Sequence, residues 1–236
     1  MTEAAFDEAY ECLLQHGKEG ILYAMQRGIL PGSIRAYKLG AKQEGSKLAG
    51  RLLLPIRTPG GAALTWTGRV YNYATATKTK AKWLHWSPPD SSFKKSDTLA
   101  FLYEHRHAIV RRGLLTLFES PLDALVTGQY GYPSCAYMGS TMSDTQALIA
   151  ASVAGVWVVW QDDDEAGNRG YARLEELSSR YGVKLHRIID SRGDAASVAS
   201  EHGAAAVKEV LDSALAKFHK RSVEYSHGYS KECAGI

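Results

Sequence analysis

From residue 114 onward the chain alternates between short runs of β-forming apolar residues and stretches of helical length, and this rhythm restricts the fold more than any other feature of the sequence. The runs are LLTLFE (114–119), SCAYM (134–138), VWVVWQ (156–161) and KLHRII (184–189). Each has the length and composition of a buried strand. Helical segments begin near Pro121, at Ser143 and near Ala166, and a last helical region ends near Phe218. Strands joined through helices run parallel, because the crossover returns the chain to the same end of the sheet. The expected fold class is α/β, with a mostly parallel four-stranded sheet flanked by helices on both faces.

Residues 1–113 follow other periods. Phe6, Ala9, Tyr10, Leu13 and Leu14 recur at helical spacing until Gly17 or Gly20, which predicts one or two short helices over 3–26. Another helical piece is expected over 33–39, with Ser33 as its N-cap. Over 51–73 the period drops to two, predicting at least two strands about a turn at Pro59, Gly60 and Gly61. The Lys, Ser, Thr and Pro of 74–97 predict mostly loop, and 99–112 reads as helix. The chain therefore divides into a smaller basic α+β subdomain (1–113), an α/β domain with its C-terminal helices (114–218), and a polar, flexible tail (219–236).

The net charge of +3 joins two unlike halves. Up to residue 113 there are 17 Lys and Arg against 9 Asp and Glu; beyond it there are 11 against 16. A basic half suits a polyanion and an acidic half suits divalent cations. No apolar run approaches the roughly 20 residues of a membrane helix. The acidic start, MTEAAFDEAYECLL, lacks the basic and apolar regions of a signal peptide. A cytoplasmic chain without a membrane partner is expected. Cys12, Cys135 and Cys233 form no CxxC pair, so free thiols in a reducing compartment and no zinc are expected.

In an open parallel sheet, side chains from several strands converge beyond the C-terminal strand ends. The acids fall there. Glu119 closes the first strand and Asp123 follows one helical turn later; Asp162, Asp163 and Asp164 follow the third strand; Asp194 lies in the loop after the fourth. Clustered carboxylates repel one another and resist ionisation unless a hard cation joins them. Mg²⁺ or Mn²⁺ suits that role, because it takes oxygen ligands and can bridge carboxylates to phosphate. Alternate side chains of an extended segment share a face, so Asp162 and Asp164 should pair while Asp163 points elsewhere. An Asp-rich loop after a strand is also an ordinary helix N-cap, but acids at three separate strand ends favour the metal reading. Gly139, Ser140 and Thr141 form a small-residue loop before a helix, open to phosphate binding or to service as a plain turn.

FESPLDAL (118–125) followed by WVVWQDDDEAGNRG (157–170) resembles the Toprim signature: a Glu at a strand end, then Asp-x-Asp after an apolar strand and a small-residue helix start. The resemblance implies that Glu119 acts in acid–base or metal-linked catalysis, with Asp123, Asp162 and Asp164 as metal ligands. Asp194 stands where DnaG-type primases carry a further acidic pair, whose second member is here Ala196, and Ser120 stands where the family usually has Gly. Upstream, RGILPGSIRAYKLG (27–40), GRLLLPIRTPGGAALTWTGRV (50–70) and AKWLHWSPPDSSFKKSDTLAFLYE (81–104) resemble the DnaG-type catalytic core in order and spacing, so that the resemblance covers roughly residues 27–211.

That resemblance implies a DNA primase, a nucleotidyltransferase making short RNA primers from NTPs on single-stranded DNA. It places Arg69, Lys82 and Lys95 on phosphates beside Trp83, with Arg51, Arg57 and Lys94 as further candidates. Trp66 is expected in the core, whereas Trp83 and Trp86 are candidates for stacking on bases. The family's zinc ribbon and helicase-binding region find no match here, which implies a minimal enzyme of a phage, plasmid or other mobile element, or a catalytic subunit with a separate zinc-binding template-recognition protein; a replicative helicase is a further expected partner. Two other readings stay open: a Toprim-type metal-dependent nuclease, and a non-catalytic replication factor that binds single strands.

Overall fold

The computed structural model describes the backbone of residues 1–71, 81–87, 93–161 and 164–232, and side chains over the same ranges up to residue 216 with Ala166 excepted. Helix α1 (Glu3–His16) is capped by the Thr2 side chain and ends where Gly17 donates its backbone N–H to Leu13. Helix α2 (Lys18–Gln26) follows at once. Helix α3 (Pro31–Ala36) starts earlier than its pattern suggested: Leu30 is the N-cap, and Ser33 lies buried inside the helix without capping it. Pro31, with its preset φ and missing N–H, starts the helix, so no side-chain cap is needed there.

Strands β1 (Arg51–Arg57), β2 (Ala63–Val70) and β3 (Trp83–His85) form an antiparallel sheet in that order. β3 corrects the expectation of loop over 74–97 where that stretch is described. Three residues flanked by Lys, Ser and Pro carry too little periodicity to announce a strand, and their extended state comes from pairing with Thr67, Gly68 and Arg69 of β2. Helix α4 (Leu102–Arg112) begins after Phe101, which sits in the left-handed region (φ 66°).

The second sheet contains β4 (Leu114–Phe118), β5 (Ser134–Ala136), β6 (Val156–Trp160) and β7 (Lys184–Ile188), connected through α5 (Pro121–Gly128), α6 (Asp144–Val153) and α7 (Glu165–Tyr181). The strand order is β5-β4-β6-β7 and every pairing is parallel. The fold is thus α/β as expected. The last helix, α8 (Ala195–Glu232), breaks at Gly203 (φ 80°) and keeps a helical backbone through residues 219–232. No helix among the described residues is long and apolar enough to cross a membrane.

Alternation along the strands builds two cores. Leu115, Leu117, Trp157 and Val159 face one side, with Ile109 of α4, Ala147 of α6 and Leu174 of α7. Leu114, Phe118, Val158 and Trp160 face the other, with Leu125 of α5 and Val207 and Leu211 of α8. The same second core includes Leu52, Leu54 and Ile56 of β1 and Leu13 of α1. The basic subdomain therefore shares its apolar packing with the parallel sheet. Ala100 adds a further tie, exchanging backbone hydrogen bonds of 2.9 and 3.1 Å with Ala136 on the outer edge of β5.

This topology creates a crevice. The chain leaves β4 toward β5 on one side, and leaves β6 toward β7 on the other, while β4 and β6 are neighbours. Connections that diverge from adjacent parallel strands leave the space beyond those two strand ends uncovered, which is where ligands bind in open α/β sheets.

Candidate functional site

A cleft of about 370 Å³ opens at that switch point. Glu119, Asp123, Asp164 and Asp194 reach it from the parallel sheet, and Arg27, Arg69, Lys82, Trp83 and His85 reach it from the basic subdomain. Four of the five predicted acids therefore meet at one rim. Asp162, with Asp163, lies outside the described residues. Among the described residues no three His, Cys, Asp or Glu side chains form a ready-made metal cluster.

Each acid is held by its own local structure. Ser120 caps α5 by accepting from the Leu122 N–H at 3.2 Å, so the serine standing where the Toprim resemblance has glycine has a structural task. Asp123, in the first turn of α5, is 6% exposed and accepts a 2.8 Å hydrogen bond from the Ala196 N–H. The departure at residue 196 thus contributes its backbone, not a carboxylate. Burial, and next the Asp194 carboxylate, push the Asp123 carboxyl up to about 7. Asp164 caps α7 by accepting from the Gly167 N–H at 2.7 Å, and Asp194 accepts from the Ser197 N–H at the start of α8 at 2.7 Å. Both N-cap roles leave a second carboxylate oxygen for other partners. Trp160 steadies the Asp194 loop, its indole N–H donating to Gly193 O at 3.1 Å.

The opposite wall is basic and aromatic. Arg69 lies largely buried on β2, donates from Nε to the Tyr23 hydroxyl at 3.0 Å, and sits over the Trp83 ring at 5.2 Å. Lys82 is held below the usual lysine range by burial and by Arg69 and Arg27, against the opposite pull of Asp194 and Asp123. Trp83 stacks on His85 with rings 6.3 Å apart and an interplanar angle of 7°. His85 bonds Thr67 through Nδ1 at 2.9 Å, and burial followed by Lys95 lowers it to about 4, so it is neutral near pH 7. Lys95 does not line the cleft itself, but its Nζ stands beside Gly139, which does.

Other candidates fall elsewhere. Arg51 is 3% exposed and donates to Gly68 O within the antiparallel sheet, so it does not reach the cleft. Arg57 pairs with Glu3 and Glu104, and Lys94 is exposed. Trp66 is buried as expected, and Trp86 packs against it at 5.9 Å on the sheet face away from Trp83. Alternation along β3 sends the two tryptophans to opposite sides. Sequence reasoning missed Arg27, His85 and Gln161 as cleft residues. The signal for Arg27 was the Gly after it: Gly28 has φ 79°, and a Cβ there would lie 2.6 Å from the Ala199 Cβ, so the turn carrying Arg27 presses against α8.

Residues 116–198 match the family model described as Toprim-like. The chain is 28% identical over 128 residues to the DNA primase of Neisseria meningitidis serogroup A, a match covering 53% of this chain and 20% of that protein. It is 24% identical over 165 residues to the DNA primase of Aquifex aeolicus, covering 69% and 32%. The chain therefore aligns with between a fifth and a third of these relatives. Among solved structures, it superposes on the zinc-binding and RNA polymerase domains of Aquifex aeolicus primase with a TM-score of 0.77, at 23% identity, covering 89% of this chain and 59% of that one. The RNA polymerase domain of Mycobacterium tuberculosis primase DnaG gives 0.77 at 17% identity, covering 93% and 84%, and a DnaG catalytic domain bound to single-stranded DNA gives 0.76 at 19%, covering 90% and 77%. The chain carries a Toprim fold. Its four-stranded sheet and basic subdomain together share the architecture of DnaG catalytic cores, and Glu119, Asp123, Asp164 and Asp194 line the cleft that topology leaves open.

Proposed function

We propose that this Toprim protein synthesises short RNA primers on single-stranded DNA. The observation that carries the reading is the meeting of four carboxylates and a cationic, aromatic wall across one cleft. A phosphodiester-forming enzyme needs both, since the incoming triphosphate is anionic and charge builds up on it during transfer. The relatives named DNA primase, and the neighbour bound to single-stranded DNA, support the same assignment.

The donor set fits Mg²⁺ or Mn²⁺. It offers carboxylate oxygens, and burial followed by the Asp194 carboxylate disfavours the charged form of Asp123, a penalty that a bound cation would remove. Asp123, Asp164, Asp194 and Asp162 would hold the ion, which supplies charge neutralisation on the phosphoryl oxygens. Lys82 and Lys95 attract the triphosphate and the template phosphates, Arg69 supports the Trp83 ring, and Trp83 stacks on a base. The 3′-hydroxyl oxygen of the preceding nucleotide bonds to the α-phosphorus as the bond to pyrophosphate breaks, and Glu119 takes the hydroxyl proton.

The test incubates the protein with a single-stranded template, NTPs and Mg²⁺ or Mn²⁺, beside its natural replication partners where these are identified. Oligoribonucleotides dependent on template and lost in Glu119→Gln support the reading. Metal-dependent strand cleavage that needs no NTP supports the nuclease instead. Retained biological activity in Asp162→Asn with Asp164→Asn supports a binding factor.

A further inference from the structure

We propose that Gln146 is a positioning residue that holds Lys95 at the cleft; the inference deepens the functional reading above, since it takes Lys95 as a phosphate contact. Gln146 lies at the third position of α6 and is 1% exposed. Its first task is local. It closes a capping box with Ser143: its backbone N–H donates to Ser143 Oγ, and its Oε1 accepts from the Ser143 N–H, both at 3.0 Å.

A capping box leaves the amide nitrogen unused, and here that nitrogen reaches across to another part of the chain. Nε2 donates to Tyr137 O at 2.8 Å, just beyond β5, to Thr98 O at 2.8 Å and to Lys95 O at 3.0 Å. Two amide protons serve three carbonyls, so one is shared. Ser143 Oγ adds a fourth bond, donating to Ser96 O. The segment so gripped is a single 3₁₀ turn (Lys95–Asp97) that, among the described residues, pairs with no strand; its local bonds are backbone ones of 3.0 and 3.3 Å and one of 3.2 Å from Thr98 Oγ1 to Lys94 O. A one-turn 3₁₀ segment has weak hydrogen-bond geometry and little intrinsic persistence.

The brace has a chemical consequence. Lys95 belongs to the basic subdomain in sequence, yet its backbone is referenced to the end of β5 and the start of α6. Its ammonium then sits where a side chain on Gly139 would go, with Lys95 Nζ 3.2 Å from the position of such a Cβ. Gly139 lines the cleft beside Glu119. A carboxylate at position 146 could accept from Ser143 but would face three carbonyl oxygens with no proton to offer, which is why the brace requires an amide.

The test compares Lys95→Ala, Gln146→Leu and the double variant. Two readings are taken on the full chain: affinity for a ribose-labelled fluorescent ATP in Mg²⁺, and hydrogen exchange over residues 95–98. Lys95→Ala should weaken ATP binding about tenfold, the size of one charge-assisted contact. Gln146→Leu should weaken it severalfold and speed exchange in the turn, and the double variant should bind no worse than Lys95→Ala, because the brace acts only through the lysine. Gln146→His, which keeps one donor nitrogen, should recover part of the loss. Should Gln146→Leu fail to fold, Ser143→Ala, which removes the Ser96 bond together with the cap on the Gln146 N–H but keeps the three amide bonds, should show the same pattern in smaller measure. Multiplying losses in the double variant, or full ATP affinity in Gln146→Leu beside impaired Lys95→Ala, overturns the positioning role. Unimpaired Lys95→Ala with accelerated exchange in Gln146→Leu overturns the phosphate contact while leaving the brace in place.

Discussion

Asp123→Asn should make the metal-free protein more stable at alkaline pH, although it alters a central residue of the site. Asp123 is buried, and burial together with Asp194 moves its carboxyl from 3.8 to about 7. That displacement corresponds to about 4 kcal/mol between the two protonation states. Below pH 4 folded and unfolded chains both carry the proton, and the group contributes nothing. Between pH 4 and 7 the unfolded chain releases the proton while the folded chain keeps it, so stability falls by about 1.4 kcal/mol per pH unit. Above pH 7 the folded chain ionises too, and the whole amount, about 4 kcal/mol, stands against folding. An asparagine in the same place keeps an oxygen for the Ala196 N–H without the charge. Urea unfolding in EDTA should therefore give equal stabilities near pH 4 and a variant more stable by several kcal/mol at pH 8. Millimolar Mg²⁺ should narrow the difference by stabilising the parent chain more than the variant, since binding to the folded state adds to its stability. A variant no more stable than the parent at pH 8, or a gap that ignores pH, would refute the claim that Asp123 is a strained buried acid awaiting a cation.

Three further outcomes are expected. Glu119→Gln and Asp164→Asn should each cut oligoribonucleotide synthesis about a hundredfold or more, with unchanged far-ultraviolet circular dichroism, because both side chains are exposed; activity within a fewfold of the parent would remove them from the chemistry. Lys82→Ala should weaken single-stranded DNA binding and lower the slope of log affinity against log salt by about 0.7, measured by fluorescence anisotropy at several ionic strengths; an unchanged slope would show that Lys82 meets no phosphate. Trp83→Ala should cost roughly 1–3 kcal/mol of single-strand binding, whereas Trp86→Ala, which removes a ring packed on Trp66, should lower stability by about 2 kcal/mol and leave binding intact.

The parallel sheet was legible because its central strands β4 and β6 are buried on both faces, so that runs such as VWVVW announce themselves without alternation. Convergence of Glu119, Asp123, Asp164 and Asp194 followed from topology alone. Other features depended on contacts that no local pattern encodes. Arg51 and Arg69 both lie on the antiparallel sheet, and only their positions in the folded sheet bring Arg69 into the cleft while tying Arg51 to Gly68. His85 stands in no spacing that marks a site in the sequence, yet pairing of β3 with β2 sets it on Thr67 beside Trp83. Ser33 had the chemistry of a cap but stood two residues past a proline that had already begun the helix.

The two walls of the cleft have different origins in the chain but a common foundation. Leu52, Leu54 and Ile56 beneath the basic wall pack in the same core as Leu122, Leu125 and Trp160 beneath the acidic one. A cavity opened at Leu54, fully buried in β1, would cost about 2–5 kcal/mol of stability. It would also loosen the cationic wall relative to the acids without touching either set of charged groups. Such a change should weaken transfer more than binding. Binding tolerates small displacements of the cations, whereas in-line attack requires reacting atoms to lie about 3–3.5 Å apart.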